Sequence, residues 1–574
     1  MKPTIVLTLL VLLIGCAERS PEKQLSELLD RDAAFKNQRD PSKAEVYNKL
    51  RDRSPTAFEE QYNFNKEILQ SLLSVDRSAL STSDQISFDL IQFTKENQLK
   101  EFEFKTHLNP LLADGGFHIG LVFTAQSYEF KSKESYRNYM DLLRDIPRYM
   151  RENISLLQEG LDLGISQSQI IFDGYEVTYD NHIVEDPMKS IFYEPFKELP
   201  DTFTDAEKKQ LREEAVRAVR EGAIKGYKIF SDFMTDAYIP KTRTNTGASN
   251  LPNGDDYYKY LIKKFTTMEL QPDSVHNLGL SEVARIKAEM QKIIGKVGFE
   301  GTFADFLQFL RTDQRFYAKS PEELLKEATY ISKKMDGELP KLFGRLPRQP
   351  YTVNPVPDHL APKYTGGRYV GADISSTKPG QYWVNTYGLE NRPLYVLEAL
   401  SFHEAVPGHH LQSALTQELD LPQFRRNLYL SAFGEGWGLY SEFLGKEAGF
   451  YSNPYSDFGR LTYEMWRACR LVVDTGLHSF GWTREQAMEY MASNTALSLH
   501  EIQTEVDRYI SWPGQALSYK MGELKIKALR NKAEAALGDN FDVREFHDLI
   551  LSQGTVTLPI MEEMVNDFIS SKSK

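Results

Sequence analysis

Cysteine is nearly missing from this chain: 574 residues hold only Cys16 and Cys469. A disulfide scaffold is therefore excluded, and a metal site would have to be built from histidine and carboxylate rather than thiolate. Cys469 lies in the apolar stretch 466–473 and reads as a core residue. An excess of basic charge is also lacking, since 68 Lys and Arg face 81 Asp and Glu, a net charge of −13. That balance argues against nucleic acid and against a polybasic membrane-binding face. No internal repeat or low-complexity block interrupts the chain, and no apolar run reaches membrane-spanning length. What is present is the composition of a folded protein, with 41% apolar, 12% aromatic and 26% charged residues. The length suits two or more domains or one large helical body.

The N-terminus carries a targeting pattern. Lys2 precedes an apolar run over residues 5–14, too short to span a bilayer and suited to a secretory signal. Leu13-Ile14-Gly15-Cys16 resembles a bacterial lipobox, which implies cleavage after residue 15 and lipidation of Cys16. Ala17, in place of aspartate, is similar to outer-membrane sorting signals, implying an anchor facing the periplasm in a Gram-negative source.

Helix signals dominate the remainder. Thr204 with Glu207, and Ser320-Pro321 with Glu323, have capping-box spacing. Val283, Ile286, Met290 and Ile293 recur at helical intervals and stop before Gly295, and Leu211, Ala215 and Ala218 repeat the pattern. Strand-like runs occupy 117–124, 169–179 and 367–386. Gly- and Pro-rich stretches at 240–254 and 345–362 punctuate the chain. The expected fold is mainly α: two interlocked helical halves, 16–240 and 241–574, with a small β element beside the active-site helix. The second half carries the chemistry.

Three of the 11 histidines fall within eight residues, His403-Glu404-Ala405-Val406-Pro407-Gly408-His409-His410. A zinc helix ordinarily spaces its two histidines four apart on one face, with the glutamate beside the first acting as general base. Here the spacing is six or seven. On a straight helix His409 points the wrong way, while His410 sits about 10.5 Å along the axis from His403. Neither could share one ion with His403, because Zn–N bonds are only about 2.0–2.1 Å. Pro407 cannot donate to the His403 carbonyl and biases Val406 away from helix, and Gly408 adds backbone freedom. The helix must distort at this point, and looping out two residues returns His409 to the ligand position.

The run His403-Glu404-Ala405-Val406-Pro407-Gly408-His409-His410-Leu411-Gln412 resembles the signature of domain of unknown function family 885, a group of bacterial, often lipid-anchored proteins. That family is similar to zinc peptidases with a glutamate third ligand, such as thimet oligopeptidase and the thermostable carboxypeptidases. Supporting segments are 380–386, 435–442, Arg508-Tyr509, 513–516 and Tyr519-Lys520. The resemblance covers most of the mature chain. It implies zinc held by His403, His409 and Glu435, with Glu404 as general base. His410 and Glu442 remain alternative ligands; Glu442 lies two helical turns beyond Glu435 on the same face. Arg508 and Tyr519, with Tyr509 and Lys520, are candidates to stabilise an oxyanion or hold a terminal carboxylate. Alternation over 381–386 suggests an edge strand that pairs with an extended peptide through Tyr382 and Asn385, with His410 as a further substrate contact. The expected function is zinc-dependent hydrolysis, with a peptide as substrate, outside the cytoplasm. The alternatives are a metal- or solute-binding lipoprotein without turnover, and a metallohydrolase of another amide or ester. Oligomeric state is not legible.

Overall fold

The computed structural model describes residues 20–358, 360–361, 364–372, 374 and 377–572. The expected signal segment and Cys16 lie outside these residues. Helices dominate, and the expected starts are where the capping chemistry puts them. Thr204 and Glu207 form a reciprocal capping box on helix Asp205–Ala218, and the Ser320 side chain accepts from the Glu323 N–H at the start of Pro321–Leu342. Helix Pro272–Lys296 buries Val283, Ile286, Met290 and Ile293 and continues through Gly295.

Two strand expectations fail. Residues 117–124 belong to helix Phe117–Ser127, whose buried residues Phe117, His118, Leu121, Val122 and Ala125 follow helical spacing. A short apolar run alone does not distinguish a buried strand from a buried helix. Residues 169–179 form a 3₁₀ turn, Gln169–Phe172, and lead into the helical turn Val177–Asp180. Only 367–386 holds strands. β1 (Tyr351–Pro355), β2 (Gly367–Val370) and β3 (Gly380–Val384) form a sheet in the order β1-β3-β2, with β1 parallel and β2 antiparallel to β3. β3 is thus the central strand. The edge expected over 381–386 is instead offered by β2.

An apolar cluster containing Leu50, Phe230, Phe306, Trp437 and Val565 extends through the body, so residues on both sides of position 240 share one core. At its centre helix Pro454–Ser479 is buried at every residue from Phe458 to His478, Cys469 included. Burial pushes the Cys469 thiol pKa up, as suits an inert core residue. Such a helix also brings charges inside, and Glu464 on it is paired with a buried cation from another helix. Fully buried Lys520 lies 2.9 Å from Glu464, 2.7 Å from Glu523 and 3.0 Å from Glu282. It is thereby committed to the core and is not available as the site cation expected above.

Replacing Lys520 with methionine keeps the volume but removes the one fully buried cation of this network, leaving its carboxylates only Arg285, Arg460 and Lys527. The loss should be about 3–5 kcal/mol, the usual consequence of removing one partner from a buried ion group. Denaturant unfolding of Lys520→Met measures it; an unchanged midpoint would show that the network contributes nothing net.

Candidate metal centre

Helix Leu397–Glu404 stops one residue after His403, and helix His409–Glu418 starts five residues after Glu404. The distortion expected at Pro407 is therefore a break between two helices rather than a bulge within one. Ala405 and Gly408 leave helical geometry, at φ −94°, ψ −110° and φ −76°, ψ −128°. A side chain at Gly408 would meet the His403 carbonyl oxygen at 2.0 Å and that of Phe402 at 2.4 Å, so only glycine lets the chain fold back this tightly. The Trp437 indole N–H donates to the Pro407 carbonyl (2.8 Å) and fastens the turn to helix Ser431–Glu447.

That helix supplies both expected carboxylates, in different roles. Glu435 Oε2 is 3.4 Å from His403 Nε2 and 3.4 Å from His409 Nε2. Ligand atoms of the three residues all lie within 4.8 Å of one another, and the two rings meet nearly at right angles. Two atoms bound about 2.1 Å from a tetrahedral ion lie roughly 3.4 Å apart, so the group fits the donor set and spacing of a zinc site. Glu442 sits on the other side of His403, its Oε1 accepting from Nδ1 at 2.8 Å. This leaves Nε2 to face Glu435 and is how an orienting carboxylate normally holds a ligand histidine. Gly438 lies between the two glutamates, and a Cβ there would come within 2.7 Å of the His403 ring.

Carboxylates outnumber imidazoles at this centre. Burial alone would lower the His403 pKa, but Glu435, Glu442 and the nearby Glu404 outweigh it and raise it to about 10. Burial would likewise raise the Glu435 pKa, yet His403 and His409 hold its carboxyl well below the usual carboxylate range. Tyr429 donates to the other Glu435 oxygen at 2.7 Å.

His410 is turned away and buried. Its Nε2 meets the Gln349 carbonyl (3.1 Å), which can only accept, so Nε2 carries the proton and Nδ1 accepts from the Tyr369 hydroxyl (3.2 Å). Burial lowers its pKa to about 4, and the neutral ring has no nitrogen free. It ties the sheet to the second helix and is not a substrate contact. Tyr382 and Asn385 are corrected in the same way. Tyr382 is fully buried with its hydroxyl 3.3 Å from Ser401, and the Asn385 amide donates to the carbonyls of Ala361, Tyr364 and Thr365. Tyr382 on the central strand and Asn385 just beyond it both point away from the cleft that the triad lines.

The cleft beside the triad has a volume of about 910 Å³ and is lined by His403, Glu404, His409, Glu435, Arg508 and Tyr519, among others. Glu404 Oε2 accepts from the Tyr369 backbone N–H at 2.8 Å, which fixes the carboxylate at the β2 edge. The Tyr519 ring lies over His403 with centroids 6.3 Å apart, and Arg508 approaches the Tyr519 hydroxyl at 3.5 Å. Tyr509 is buried, its hydroxyl accepting from Trp466 and Arg470, and does not line the cleft. The sequence reading missed Tyr369, Tyr429 and the cleft-lining arginines Arg368, Arg467 and Arg470. The Arg467-x-x-Arg470 pair inside an apolar helix was the one signal that could have pointed to the arginines.

The family model described as "Bacterial protein of unknown function (DUF885)" matches residues 38–565. The chain belongs to that family. Among curated proteins none matches. A Colwellia psychrerythraea crystal structure, described as that of a candidate lipoprotein, is 28% identical, covers 96% of this chain and 100% of its own, and superposes with a TM-score of 0.88. A second candidate lipoprotein, of unknown function and from Shewanella oneidensis, gives a TM-score of 0.71 at 16% identity, covering 96% and 100%, and shows the shared fold. Among the described residues no helix is long and apolar enough to cross a membrane.

Gly438→Ala tests how tightly the His403 ring is held. The added methyl should turn the ring away from Glu435 and cost about 1–3 kcal/mol through overpacking. A crystal structure and a thermal melt read both; an unmoved ring at full stability would show slack at this contact.

Proposed function

We propose that this DUF885 protein is a zinc-dependent hydrolase acting on peptides. The observation carrying the reading is the convergence of His403, His409 and Glu435 at ligand spacing, with Glu404 facing the same cleft. A bound zinc ion supplies Lewis acidity at that point. Glu404, held by the Tyr369 N–H, takes a proton from the attacking water and passes it to the leaving amine. Tyr519, with Arg508 against its hydroxyl, donates to the carbonyl oxygen as charge builds there. Glu442 keeps the His403 ring turned toward the centre. The outer edge of β2, whose residues Gly367, Arg368 and Tyr369 line the cleft, offers an extended peptide a strand to lie along, with its Tyr369 N–H already engaged by Glu404 and its Gly367 carbonyl by the Thr365 hydroxyl. A site that only stored metal would gain nothing from a carboxylate fixed where Glu404 stands. The lipobox at Cys16 and the lipoprotein description of the Colwellia relative support a lipid anchor, and Ala17 in place of aspartate suits outer-membrane placement facing the periplasm in a Gram-negative cell.

The mature chain should carry close to one zinc and lose peptide hydrolysis on chelation. Glu404→Gln should keep the zinc and slow turnover by about 10²–10⁴-fold, since it removes a base and no ligand. Elemental analysis and assays on a mixed peptide library check both. No stoichiometric transition metal after zinc reloading, or wild-type turnover by Glu404→Gln, would defeat the reading.

Replacing Cys16 with alanine should release the protein from the membrane fraction or leave an unprocessed precursor. Unchanged fractionation with a mature mass lacking lipid would contradict the anchor.

A further inference from the structure

We infer that Arg368 and Arg508, which line the cleft beside Tyr519, form a clamp for a carboxylate of the substrate. The inference deepens the peptidase reading and rests on it for the identity of the substrate.

The two arginines come from different elements. Arg368 is carried by the edge strand β2, one residue before the Tyr369 N–H that fixes Glu404. Its side chain is exposed, lies 5.5 Å over the Tyr364 ring and forms no ion pair among the described residues. Arg508 comes from helix Leu499–Ser511 and is nearly buried. It is held in place by Glu505 at 3.3 Å and by the Gln515 side-chain oxygen at 2.5 Å, with one nitrogen 3.5 Å from the Tyr519 hydroxyl. Both line the same cleft as the triad, and Arg368 feels the repulsion of Arg508 together with the attraction of Glu404.

Two guanidiniums that repel one another across a cleft are an unfavourable arrangement unless something negative comes between them. Arg508 already has Glu505, which it shares with Arg470 at 2.8 Å, and Asp114 adds charge nearby. Arg368 is the cation left over. Of the carboxylates of the metal centre, Glu404 favours the Arg368 charge from a distance but forms no ion pair with it, while Glu435 is committed to the two histidines and Glu442 to His403. Arginine's planar fork suits a carboxylate, and charge-assisted bonds of this kind are both strong and directional. Arg470 and Arg467 stand behind the clamp, Arg470 4.2 Å over Tyr519 and 4.4 Å over Trp466, and stiffen the wall on which Tyr519 sits. A peptide laid along β2 with its reacting carbonyl at the triad would bring a carboxylate just beyond that bond to Arg368. The group could be the terminal α-carboxylate or an acidic side chain, whose chemistry is shared.

Calorimetry on the chelator-treated chain separates these sources, because chelation prevents turnover and removes the metal as a rival for carboxylates. The probes are N-acetyl-trialanine, its C-terminal amide, and the amide of N-acetyl-Ala-Glu-Ala. The free acid should bind at least about tenfold tighter than its amide, and Arg368→Gln, an exposed change that leaves the core alone, should erase most of that difference. Arg368→Lys should restore part of it. Equal gain by the glutamate-containing amide would identify an acidic side chain as a ligand of the clamp; gain by the free acid alone would identify the terminus. Acid and amide binding equally, or a preference that survives Arg368→Gln, would overturn the clamp. Peptide hydrolysis by the zinc-loaded chain is scored separately: turnover without acid preference overturns the clamp alone, and Arg368-dependent preference without turnover overturns the peptidase reading alone.

Discussion

The approach of Gly408 to the carbonyls of Phe402 and His403 is the constraint on which the site depends. Because no Cβ stands in the way, one helix can end at Glu404 and another begin at His409 with their axes turned. The turn places His409 beside His403 and sends His410 to the opposite side, against the sheet. The Trp437 indole then ties the Pro407 carbonyl to the helix that carries Glu435 and Glu442, so the turn and the carboxylates are positioned by the same packing.

Burying so much charge near one point has an electrostatic logic. Glu404, Glu435 and Glu442 converge on His403, which responds by holding a proton tightly. A divalent cation would satisfy the same carboxylates more fully than that proton does. Behind the triad, arginines on helix Pro454–Ser479 and at Arg508 offset the carboxylates and present a positive wall to the cleft. The proposed cation site and the proposed carboxylate clamp thus share one cleft, with Tyr519 lining it beside both.

Much of this was legible in the sequence, for identifiable reasons. Caps such as Thr204 with Glu207 are local chemistry, and the helices they start are where spacing places them. Pro407 and Gly408 announce a distortion because neither is compatible with regular helix there. The convergence of Glu435 was read from the resemblance alone, since no short-range rule connects residues 26 or more positions apart. The roles of Tyr382 and Asn385 were misread because alternation does not tell a central strand from an edge: strand order depends on where β1 and β2 come to lie. Residues 117–124 were misread because a β-branched and aromatic composition outweighed a helical burial pattern that emerges only once the core is known. Arg368 sits between glycines and aromatics with no periodic signal, and its meaning comes only from what stands across the cleft.

The central claim is that the break between the two helices selects His409, and not the adjacent His410, as partner of His403. Parallel zinc titrations of His409→Ala and His410→Ala test it most directly. The geometry predicts loss of stoichiometric zinc in His409→Ala and near-normal affinity in His410→Ala, whose imidazole is already engaged by Gln349 and Tyr369. Zinc retained by His409→Ala and lost by His410→Ala would contradict the account.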